Sequence, residues 1–221
     1  MQWNPEQWWK GEDIILIGGG SSLRGFDWER LRDHRVIGIN DAYQLGEEIC
    51  DAVVFGDLKW YTARQQYLQH FKNPVFSNQP SLHVGSPIWL RTMRREKNGL
   101  SHGGLYWGNN TGCVAVNLAL LLGARRVMLL GFDMKVGSDK KLNWHPSEAR
   151  VTEQTFMRFE KGFRIIAKEL NEKFPDREII NLGPDSDLDL FPFRDLDTYL
   201  GDANETHNNT IGAGACSVGG M

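Results

Sequence analysis

The sequence predicts an α/β fold: a single Rossmann-like domain whose mainly parallel sheet is flanked by helices. Three observations carry that expectation. Short, continuous apolar runs recur along the chain: DIILI at 13–17, VIGI at 36–39, AVVF at 52–55, VMLL at 127–130 and EIINL at 178–182. Strands covered by helices on both faces read this way. Segments of 3.6-residue apolar period lie between them, giving the alternation of strand and helix that builds parallel sheets. Most runs also stop at Gly, Asn or Asp, so polar and small residues collect along the rim where such sheets bind ligands.

In chain order, residues 1–12 form a Trp-rich segment whose Trp3, Trp8 and Trp9 suit either packing on the sheet edge or a partner surface. DIILI is the first strand, halted by Gly18, Gly19, Gly20, Ser21 and Ser22. A helix is expected over 26–31 with Asp27 as N-cap, then a second strand ending at Asn40. The third strand feeds a helix over 57–71. Residues 73–108, rich in Asn, Pro, Ser, Gly and Trp, are expected to form an irregular excursion or lid. An apolar helix over 111–122, with Thr111 as its N-cap, leads to the fourth run. A polar loop at 135–146 precedes a helix over 151–174, which sets Phe156, Phe159, Phe163, Ile166 and Leu170 on one stripe. The domain spans 13–200. The glycine-rich tail, 201–221, is expected to be flexible alone or ordered only against a partner.

Composition narrows the function classes. A chain of 221 residues supports one domain with a substantial core. With 41% hydrophobic and 24% charged residues and no apolar run of bilayer length, a soluble globular protein without a membrane span is expected. The balance of 25 Lys and Arg against 28 Asp and Glu gives no general attraction to polyanions, so nucleic acid is not an expected partner. The opening residues lack a basic start and a continuous apolar stretch; no secretory signal is read, and a cytoplasmic location is expected. Cys50, Cys113 and Cys216 are odd in number and widely spaced, which favours reduced thiols over disulfides or structural zinc.

The rim residues carry the chemistry. Gly18 to Ser22 join a strand to a helix, where main-chain N–H groups can face phosphate oxygens. The pattern is neither G-x-G-x-x-G, since Leu23 stands at the last glycine position, nor a P-loop, since no Lys-Ser/Thr follows. A nucleotide seat and a tight turn both remain open. Asn40 can donate to and accept from a base or ribose edge, or open the next loop as an Asx turn. Thr111 and Gly112 start a helix and offer a second anion or sugar site, although capping alone also accounts for the threonine. His145, within NWHPSE, is a candidate general base. Asp185, Asp187 and Asp189 have D-x-D spacing suited to a hard cation such as Mg²⁺, or to turns and caps.

In order and spacing these motifs resemble the bacterial sialyltransferases of glycosyltransferase family 42 and the related motility accessory factors and hydroxymethylpterin pyrophosphokinase-like proteins. The chain is also similar to uncharacterised phage and prophage proteins of the same plan. The resemblance covers most of residues 13–190. ILIGGGSSLRGFDWERL is similar to the family's opening strand and turn, and VIGIND to its second strand with a nucleotide-contacting asparagine, here Asn40. NTGCVAVNLALLLGARRVMLLGFDM resembles the family's helix and strand ending in Gly131 and Asp133, and NWHPSE places His145 where the family's general base lies.

The resemblance implies a CMP-sugar donor, inverting transfer to a hydroxyl acceptor and no metal or other cofactor. Gly18, Gly19, Gly20, Ser21, Ser22, Asn40, Thr111, Gly112 and Asp133 would hold the nucleotide. This chain departs from the family at Gly19, which replaces an asparagine, and at Ser21, which replaces a proline. It lacks the tyrosines expected after Asp133 to bond the leaving phosphate, and Lys135 occupies the first such place. Two alternatives stand beside transfer. One is a Mg²⁺-dependent pyrophosphoryl or nucleotidyl transferase using Asp133 or Asp185 and Asp187. The other is a non-catalytic module, docking as a homo-oligomer or in a phage particle through the tail and tryptophans.

Overall fold

The computed structural model describes residues 7–82, 89–137, 141–146 and 152–200; Trp3, Cys216 and the glycine-rich tail lie outside them. All five apolar runs form strands. They are β1 (Asp13–Ile17), β2 (Arg35–Ile39), β3 (Ala52–Phe55) and, after intervening elements, β8 (Arg126–Leu130) and β9 (Glu178–Asn181). Between them lie α1 (Leu58–Leu68), β4 (Val75–Ser77), β5 (Leu90–Thr92), β6 (Arg95–Glu96), β7 (Leu105–Tyr106), α2 (Thr111–Leu121) and α3 (Glu153–Lys173). The main sheet has seven strands in the order β5-β4-β3-β2-β1-β8-β9, every pair parallel. This is a Rossmann-like α/β fold.

Ile14 to Ile17 are wholly buried because β1 is central: Ile14 stands opposite Arg35 of β2 and Val127 of β8. Alternation along β1 sends Ile14 and Leu16 to the layer shared with α2 and α3, and Ile15 and Ile17 to the layer beneath α1. Helix α2 is buried on all sides except at Gly112, so it has no polar face; α3 is amphipathic and packs with Phe163, Ile166 and Leu170 inward. Trp8 and Trp9 serve the fold: Trp9 is buried under Arg35, and Trp8 packs on Phe76.

The segment 73–108 needs correction in one respect. β4 and β5 within it extend the main sheet, and its later part is pinned by buried amides. Asn117, fully buried in α2, accepts at Oδ1 from Ser101 N and Tyr106 N, both at 3.1 Å, and donates from Nδ2 to Ser101 O at 2.9 Å. Glu169 on α3 accepts from Leu100 N at 2.8 Å. Two local assignments also change. The N-cap of α2 is Asn110, whose side chain accepts from Cys113 N at 2.9 Å, and Thr111 becomes the first helical residue. The helix expected over 26–31 is a 3-10 turn, Trp28–Leu31, with Asp27 as the cap. No helix among the described residues is long and apolar enough to cross a membrane.

Candidate functional site

Strand order reverses between β1 and β8, and parallel sheets bind ligands beyond the carboxyl ends of the strands at such a point. A cavity of about 440 Å³ opens there. Its floor is Gly18, Gly19 and Gly20 after β1, Asn40 and Asp41 after β2, and Gly131 to Lys135 after β8. Thr111 and Gly112 at the start of α2 form one wall, Asn143 and His145 another, and Trp107, Phe156 and Phe159 an apolar side. The candidate nucleotide and catalytic residues therefore meet in one space, except Ser21 and Ser22, while Asp185, Asp187 and Asp189 do not line it.

The two serines face Asp133 instead. Its carboxylate accepts from Ser22 N at 2.8 Å and from the Ser22 hydroxyl at 2.6 Å, with the Ser21 hydroxyl at 3.5 Å. A carboxylate thus occupies the place at the head of the 3-10 turn Ser21–Leu23 where an incoming anion would bind. The glycine N–H groups are also engaged: Gly18 N donates to Leu130 O and Gly20 N to Gly131 O, both at 2.8 Å. The glycines are required sterically. A Cβ on Gly18 would lie 2.5 Å from Gly131 O, and one on Gly20 would lie 2.6 Å from the same atom. Gly18→Ala is expected to cost about 1–3 kcal/mol of stability, because two adjacent strand ends must separate to admit the methyl group. A urea midpoint equal to the parent's would show that the junction yields freely.

Asn40 differs from its neighbours. Its φ of 52° is left-handed, and its Oδ1 is buried without a hydrogen-bond partner. Among the described residues four non-glycine positions have positive φ, and three of them, Asn40, Asn109 and Met134, line this cavity. Such backbone strain gathers at ligand sites. The nearby carboxylates are already used. Asp41 accepts from Trp60 Nε1 at 2.9 Å and Arg64 Nε at 3.0 Å, and Asp57 caps α1.

Lys135 pairs with Asp187 at 3.2 Å and remains partly exposed at the cavity edge. Asp187 is held close by its own N–H bond to Asp133 O at 2.9 Å. No cluster of three metal-ligating side chains occurs among the described residues, so Asp133, Asp185 and Asp187 do not assemble into one there. Cys113 lies beside the start of α2, but burial pushes its thiol up to about 12, which removes it as a nucleophile.

His145 Nδ1 lies 3.0 Å from Pro146 O. A carbonyl only accepts, so Nδ1 carries the proton in this hydrogen bond, which leaves Nε2, on the side of Gly19, as the acceptor nitrogen of the neutral ring. Sequence reasoning missed Trp107, Asn143 and the Asp41–Arg64 pair. Only Asn143 had a signal, its position two residues before His145.

No family model and no curated protein matches the chain. Among solved structures it is similar to the sialyltransferase CstII from Campylobacter jejuni, determined in complex with a substrate analogue, cytidine-5'-monophosphate. The match has a TM-score of 0.46 and 16% identity, over 82% of this chain and 84% of that one.

Proposed function

We propose that this protein binds a nucleotide-sugar of the CMP-sugar type at the ends of β1, β2 and β8. It then transfers the sugar to a hydroxyl acceptor by a metal-free, inverting reaction. The observation that carries this reading is the orphan acceptor of Asn40. A buried, unbonded oxygen costs about 1–3 kcal/mol, and a left-handed asparagine adds strain of similar order. The first cost is offset when a ligand supplies an N–H or O–H to Oδ1. Cytosine presents an amino group where uracil presents a carbonyl, so this acceptor favours the cytosine nucleotide.

The remaining residues fit the same reaction. With Nδ1 protonated, His145 Nε2 takes the proton of the acceptor hydroxyl as it attacks the anomeric carbon. The first-turn N–H groups of α2 and the Lys135 ammonium stabilise the phosphate that leaves on the other side. Lys135 then exchanges Asp187 for the phosphate.

Calorimetric titration with CMP, CDP, UDP, GDP and ATP, with and without Mg²⁺, tests the reading. CMP or CDP should bind without metal, and Asn40→Ala should weaken that binding roughly 10- to 100-fold. Equal affinity for UDP and CDP removes Asn40 as the selector. Absence of binding by all five removes the nucleotide reading, and strict Mg²⁺ dependence favours the pyrophosphoryl-transfer alternative.

A further inference from the structure

Trp144 does not line the cavity, although Asn143 and His145 on either side of it do. Its bonds run to the glycine turn. The indole Nε1 donates to Gly18 O at 2.9 Å, the Trp144 N–H donates to Gly19 O at 3.1 Å, and Asn143 forms an antiparallel bridge with Gly20. The segment carrying the histidine therefore lies along residues 18–20 like a short added strand.

Its ring is held as firmly as its backbone. Trp144 packs on Trp28 with centroids 5.0 Å apart, and Trp28 meets Phe26 edge-on at 5.0 Å. His145 stands edge-on to Trp144 at 4.8 Å. The imidazole is thus fixed at three points: through its backbone by the glycine turn, through its ring by Trp144, and through its tautomer by Pro146 O.

Gly19 leaves room for this arrangement. A Cβ there would stand 2.7 Å from Asn143 Oδ1 and 3.9 Å from His145 Nε2. The first distance is a collision, but with the movable end of the Asn143 side chain, so a methyl group at Gly19 turns that amide aside and leaves the backbone of the segment in place.

We propose that Trp144 is the positioning residue for His145, clasping the base to the Gly18–Gly20 edge. The role given to the base rests on the transfer reaction proposed above; the clasp itself is testable without turnover. Displacing a catalytic group by about 1 Å costs up to 10²-fold in rate, so a residue that never touches substrate can control turnover.

Trp144→Phe keeps a ring and removes the indole donor, and Trp28→Leu removes the ring on which Trp144 packs. Nitrogen–proton correlation spectra of the His145 ring should show one tautomer, protonated at Nδ1, in the parent protein and a mixture in both variants. In a transfer assay both variants should lose at least about tenfold in kcat, with acceptor KM and CMP affinity within twofold of the parent. If Trp144→Phe fails to fold, Trp28→Leu gives the same two readings. An unchanged tautomer in a folded variant overturns the clasp, and so does an unchanged kcat where His145→Ala is inactive. If the parent transfers no sugar yet the tautomer shifts as expected, the clasp stands and the proposed reaction falls.

Discussion

His145→Ala abolishes sugar transfer, lowering kcat by about 10²- to 10⁴-fold, while CMP affinity stays within twofold of the parent. The two effects separate because the ring does little besides present Nε2. Among the described residues its side-chain hydrogen bond is to the neighbouring Pro146 O, so removing it leaves no distant described group unsatisfied. In the proposed reading nucleotide affinity depends instead on Asn40, which lines the cavity at the end of a different strand. Single-turnover rates and calorimetry on the same preparation make the measurement. Full turnover in the variant would remove His145 from the mechanism, and lost CMP binding would make it a binding residue.

Asn117→Leu destabilises the fold by about 3–5 kcal/mol, a large share of the 5–15 kcal/mol typical of a whole domain. Leucine nearly matches asparagine in shape but makes no hydrogen bond. The Tyr106 N–H would be left buried beside it, and the half-buried Ser101 would lose the partner of both its N–H and its carbonyl. Each unsatisfied group carries its own desolvation cost, and no water reaches a side chain that is 0% exposed. The thermal midpoint should fall by about 10 °C. Asn117→Asp keeps the acceptor for both N–H groups, but its second oxygen faces the Ser101 carbonyl, and its cost should exceed that of a neutral loss. A change below about 1 kcal/mol in Asn117→Leu would mean that the loop has another anchor. Tyr106 adjoins Trp107, so the cavity's apolar wall should loosen with it.

The central strands and the gathering of rim residues were legible because buried parallel strands leave continuous apolar runs, and such runs end in small or polar residues. β4 and β5 were not. Each has three residues, and Ser77, Arg91 and Thr92 break the apolar pattern within an Asn- and Pro-rich stretch. The cap of α2 was displaced by one residue because Asn110 and Thr111 are both good caps, and only backbone geometry decides between them. Asn40 was legible as a candidate, since it ends a strand, but its unbonded oxygen depends on what fails to pack against it. The link between Ser22 and Asp133 joins positions 111 residues apart, and no local pattern encodes it. The three glycines read equally well as turn or seat, and the structure gives them steric work at a strand junction and an edge for Trp144.

The pairing of β1 with β8 has a consequence for how the protein is made. The facing residues Asp13 and Arg126 are 113 positions apart, whereas β1, β2 and β3 find one another over much shorter stretches. Contacts so remote close slowly, and on a ribosome β8 emerges long after β1. Until it docks, Gly18 N and Gly20 N have no carbonyl to meet, and Ser22 has no Asp133. The ligand site is thus among the last features to mature, arriving in one step with the join between the two sides of the sheet. On the proposed reading, a nascent or half-unfolded chain is blind to nucleotide, and nucleotide that binds stabilises only molecules that have finished folding.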